Sequence, residues 1–85
     1  MIRVIFRGFI GGVQQFEEAV AIEDLNGIDG LALQHVEKLL ALPGGELHMI
    51  ELEFPDTPDP ADRFFRIGTD PAAMVAPIPV ARIKL

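Results

Sequence analysis

Eighty-five residues with thirteen acidic side chains, seven Lys and Arg, a formal charge of −6 and no cysteine exclude several classes at once. The basic residues stand singly, so nothing concentrates the positive charge that nucleic acid or an anionic membrane surface demands, and the missing thiols remove disulfides, thiolate catalysis and cysteine metal sites. The length suits one domain, residues 1–85, burying roughly 60–65 % of the surface its unfolded chain exposes, yet 49 % of the residues are hydrophobic and six are Phe, a share that predicts association with a second copy or another protein.

The chain opens with Ile2, Val4 and Phe6 alternating with Arg3, Ile5, Arg7 and Phe9, the two-residue period of a strand with one face on a core. Arginines interrupt the apolar residues here and no small-residue cleavage site follows, so a secretory signal is not expected and a cytoplasmic location is. Gly11-Gly12 then signals a turn.

Residues 13–25 admit two readings. As a strand returning over a three-residue turn, Val20 opposes Val4, Ile22 opposes Ile2 and Glu17 comes beside Arg7, which matches apolar with apolar and acid with base. As a helix, Val13, Phe16 and Val20 share a face and Gln, Glu and Ala are good helix formers, giving the order β-α-α-β-β-β. The hairpin has the advantage that it supplies the first strand with a neighbour.

Asn26-Gly27 leads into the most informative segment, Asp29–Leu42. At about 100° per residue, Leu31, Ala32, Leu33, Val36, Leu39, Leu40 and Leu42 fall on one arc, with Gln34, Glu37 and Lys38 opposite, so an amphipathic helix is predicted. Asp29 is the expected N-cap and Pro43-Gly44-Gly45 the stop. A helix this short needs a sheet to lean on.

Residues 46–54 alternate again. His48, Ile50, Leu52 and Phe54 make the face expected to be buried, and Leu47, Met49, Glu51 and Glu53 the other. A proline-rich acidic loop follows, and Arg63–Ile67 returns as a short strand, completing a second hairpin. The last segment, Met74–Leu85, is predicted to be an edge strand, because Pro77 and Pro79 remove two N–H donors from the same side. The uncharged run Pro71–Ala81 is too short, and too rich in proline, to cross a bilayer.

Hairpin, helix, hairpin and final strand make an α+β fold whose element order is similar to the β-grasp arrangement of ubiquitin-like and small sulfur-carrier proteins. Those carriers end in a free Gly-Gly that is activated as an acyl adenylate. This chain ends Arg82-Ile83-Lys84-Leu85, so the resemblance implies the scaffold without the conjugation chemistry.

Candidates for chemistry are few. The sequence holds no Ser, Cys or Tyr, so a hydrolase triad on Ser or Cys is impossible and no catalysis is expected. His35 lies at the rim of the helical arc and His48 begins a buried strand face. With Glu51 they are the only candidates for a two-histidine, one-carboxylate metal site, weighed against structural histidines bonded to backbone. Asp56, Asp59 and Asp62 lack the spacing of a calcium loop and read as turn initiators. Gly8 to Gly12 lacks the Lys-Ser/Thr of a phosphate loop. Arg63 and Arg66 could clamp an anion around Phe64-Phe65, but strand spacing sets them beside Glu51 and Glu53.

No cofactor is expected. The function these observations favour is a small non-catalytic binding or assembly module, working as a homo-oligomer or on a protein partner, with Ile5, Phe9, Leu47 and Met49 as its interface. The alternatives are a small-molecule or metal-binding protein with its site around His35 and His48, and an acidic accessory protein that acts on a basic partner.

Overall fold

The two glycines at 11 and 12 both adopt left-handed backbone, φ 58° and 80°, the conformation of a tight two-residue hairpin turn that residues with a Cβ disfavour. They join β1 (Ile2–Ile10) to β2 (Val13–Ile22) in a computed structural model that describes residues 1–43, 47–60 and 63–69. Residues 13–22 are therefore strand, and the helical alternative for 13–25 is replaced by the hairpin. Cross-strand pairing follows the predicted register, with Val4 opposite Val20, Ile2 opposite Ile22 and Arg7 opposite Glu17. The turn is shorter than the three residues expected. A bulge between Gly8 and Phe9, leaving Gln15 without an opposite number, shifts the pairing by one and restores the same match.

Helix α1 spans Ile28–Leu40. Its N-cap is Gly27, at φ 78° and without a side-chain cap, rather than Asp29. The aspartate instead sits in the first turn, where its charge favours the positive end of the helix dipole. Ile28, Ala32, His35 and Leu39 form the buried stripe, spaced four, three and four residues apart as one helix face requires. Leu33, Leu40 and Leu42, counted with the apolar arc in sequence, are exposed, because the sheet covers a narrower stripe than the arc.

β3 (His48–Glu53) and β4 (Phe64–Gly68) complete one four-stranded sheet in the order β2-β1-β3-β4. Every described pair is antiparallel. The helix packs on one face against β1 and β3, and the core is Val4, Phe6, Ile28, Ala32, Leu39, Ile50, Leu52, Phe54 and Phe65. The fold is thus α+β, two hairpins around one helix. The expected edge strand Met74–Leu85 lies outside the described residues. Among the described residues, no helix is long and apolar enough to cross a membrane.

Candidate functional site

The buried stripe of α1 contains one polar side chain, His35. β1 sets Phe6 beneath its ring, stacked at 3.9 Å between centroids and 2° between planes. Through the pairing of Phe6 with Glu18, β2 brings a carboxylate to the ring's far edge. His35 Nδ1 lies 2.9 Å from the Leu31 carbonyl and Nε2 lies 3.2 Å from Glu18 Oε2. Both ring nitrogens therefore face acceptors, and only a doubly protonated ring donates to both at once. Lys38 Nζ stands 3.6 Å from the same Glu18 oxygen and 4.8 Å above the Phe16 ring. Glu18, Val20, Leu31, Gln34, His35 and Lys38 line an open groove of about 340 Å³ between α1 and β2. It offers a carboxylate, an ammonium, an amide and an imidazole beside the apolar Val20 and Leu31 side chains, which suits polar recognition. It contains no hydroxyl or thiol to act as a nucleophile.

The opposite face of the sheet is organised by Arg7. Its guanidinium reaches Glu17 at 2.8 Å, Glu53 at 2.9 Å and Glu51 at 3.7 Å. Arg63 Nε and Nη2 close on Glu53 Oε2 at 3.0 and 2.9 Å, and Arg66 lies 3.7 Å from Glu51, the pairing that strand spacing predicts. Burial opposes the charged form of Glu53, but hydrogen bonds from Arg63 and Arg7 outweigh it and hold its carboxyl below the ordinary value of 4.5. Burial likewise works against the Arg7 cation, while Glu53 and Glu17 raise its pKa on balance. At the margin of this face, Arg3 makes a two-point contact with Asp56, 3.0 and 2.6 Å, and that hydrogen bond is the main cause lowering the Asp56 pKa. These contacts tie all four strands and a loop together.

His35, His48 and Glu51 are not brought together. His48 belongs to the buried side of β3, with Ile50 and Leu52, whereas Glu51 projects into the Arg7 cluster on the other side, as strand alternation dictates. The His48 Nε2–H donates to the Leu42 carbonyl at 3.2 Å, and Nδ1 is buried without a partner among the described residues. Among the described residues no group of three or more His, Asp or Glu side chains is placed to hold a metal ion.

Ile5, Phe9 and Met49 do share the face away from the helix, with Phe9 directly opposite Met49. All three are half-buried, and Arg7 and Glu51 separate Ile5 from the other two, so among the described residues these three form no continuous apolar patch. Leu47 is exposed, and its carbonyl accepts the Gly11 N–H at 3.0 Å. Other exposed apolar side chains are Met1, Val13 on the hairpin, Leu33, Leu40 and Leu42 on and after α1, and Phe64 on β4.

Glu18, Lys38 and Phe6, which complete the surroundings of His35, were not singled out by their residue types. The signal lay in the register, since a pairing that sets Val20 against Val4 also sets Glu18 against Phe6. In comparisons with known protein families, curated proteins and solved structures, the chain has no match.

Proposed function

We propose that this protein is a small binding or assembly module without catalysis of its own, acting through a second copy of itself or a protein partner. The observation that carries this reading is the apolar surface left in water by a single copy. Val13 is 63 % exposed, Leu33 56 % and Leu40 51 %, in a chain whose small core leaves little stability to spare. The absence of Ser, Cys and Tyr weighs against covalent chemistry. Size-exclusion chromatography with light scattering on the full chain tests it. A mass above the 9.3 kDa of one copy, or a stoichiometric complex with one defined protein, agrees with the reading. A single copy at high concentration that binds no protein overturns it.

The groove beside His35 supports a second reading, a small-molecule site formed by Glu18, Gln34, His35 and Lys38. Titrating small amines and carboxylic acids while following the His35 ring and Gln34 amide by nuclear magnetic resonance tests it. Saturable shifts confined to the groove support this reading, and a flat response across the set refutes it.

A further inference from the structure

We infer that the outer edge of β2 pairs antiparallel with the β2 of a second copy, about a two-fold axis at Ala19, joining two four-stranded sheets into one. The inference rests on the assembly reading above and gives it a surface and a geometry.

The direction of each backbone group in the sheet is fixed by hydrogen bonds at its ends. The Gly11 N–H donates to the Leu47 carbonyl at 3.0 Å, and the Thr69 N–H donates to that of His48 at 2.9 Å. Odd-numbered residues of β1 therefore bond toward β3, and by the alternation of an antiparallel ladder its even-numbered residues bond toward β2. Those residues pair with Phe16, Glu18, Val20 and Ile22. Glu17, Ala19 and Ala21 are left with their N–H and C=O groups directed outward, and among the described residues no strand lies beyond them. β2 has ten residues, and β4, at the opposite edge of the sheet among the described residues, has five, so β2 is the longer template for strand addition. It contains no proline, and among its charged side chains no lysine or arginine to guard the edge.

Charge selects the register. Pairing centred on Glu17 or Glu18 sets a carboxylate against its own copy, and pairing centred on Val20 sets Glu17 against Glu23, all unfavourable. Centring on Ala19 leaves no facing acids. On the helix side Phe16 meets Ile22 of the second copy and Glu18 meets Val20. On the other side Ala19 meets Ala19 and Glu17 meets Ala21. Phe16, Val20 and Ile22 are only half-covered in one copy, and Glu18 and Val20 of this strand line the groove beside α1. Small alanines at the axis let two backbones approach. A two-fold contact of this kind uses the same surface twice and closes on itself.

The natural chain has no cysteine, so Ala19→Cys introduces a single thiol. In the inferred pairing the two Cα atoms at position 19 lie about 5.5 Å apart, within the range of about 4.4–6.8 Å that a disulfide spans. Mild oxidation should convert full-length A19C into a covalent dimer, while Glu23→Cys, which does not face its own copy, should stay largely uncrosslinked. Ala19→Lys sets two ammonium groups across the axis and should raise the dimer Kd several-fold with an unchanged circular dichroism spectrum. If the unaltered chain is dimeric but A19C fails to crosslink and A19K leaves the dimer intact, the edge assignment is wrong while the assembly reading stands. A chain that is monomeric at every concentration overturns the pairing, one that in addition binds no protein overturns the assembly reading with it, and growth into open fibres overturns the closed pairing.

Discussion

A methyl group at Gly8 meets the Phe16 ring, which must shift to admit it. A Cβ built there would lie 2.7 Å from Phe16 Cζ and press on Cε2, because the Phe16 ring crosses directly over the backbone of the facing strand. Gly8→Ala should cost about 1–3 kcal/mol in chemical denaturation, the usual scale of overpacking. In a Phe16→Ala background the same change should cost much less, and an additive double mutant would contradict the contact. Glu53 carries a second consequence at this scale. Its folded pKa lies below the ordinary value, so as pH falls the unfolded chain takes up the proton first. The stability it contributes is thus present above about pH 4.5 and is lost as pH drops through the folded value. Glu53→Gln should lower stability at neutral pH by about 1–3 kcal/mol and flatten the acid limb of the stability profile. An unchanged slope between about pH 5 and 3 would remove Glu53 from the account.

At the scale of elements, Leu39 is fully buried on the stripe that seats α1 on β1 and β3. Leu39→Ala should cost about 2–5 kcal/mol of unfolding free energy, whereas Leu40→Ala, one residue further on and exposed, should change it by less than about 1 kcal/mol. Equal effects would mean that the helix lies on a different face. The hairpin was legible because three constraints agreed on a single register: Val4 with Val20, Ile2 with Ile22 and Arg7 with Glu17. The bulge that delivers that register was not, since a two-residue turn with an extra residue in the strand and a three-residue turn lead to the same pairs. Asp29 as N-cap failed for a related reason. A left-handed Gly27 starts the helix earlier through its own backbone conformation, which residue preferences for side-chain caps do not register. The arc of leucines overstated the buried face, because a helical wheel gives direction around the axis but not how wide a strip the sheet covers. His48 is on the buried strand face where alternation sets it, whereas His35, expected at the rim of the arc, belongs to the buried stripe, and Glu51 lies on the other side of the sheet from both. The carboxylate that reaches His35 is Glu18, on a strand that the sequence leaves open between two readings.

At the scale of the whole molecule, helix and sheet leave one long strand with three residues bonding outward into open space among the described residues. The outward amides of Glu17, Ala19 and Ala21 report on that edge directly, by hydrogen exchange followed with nuclear magnetic resonance over a dilution series. Their protection should rise with protein concentration, while that of Phe16, Glu18 and Val20, bonded to β1 within one copy, should not change. Fast exchange of the three outward amides at every concentration would contradict pairing at this edge.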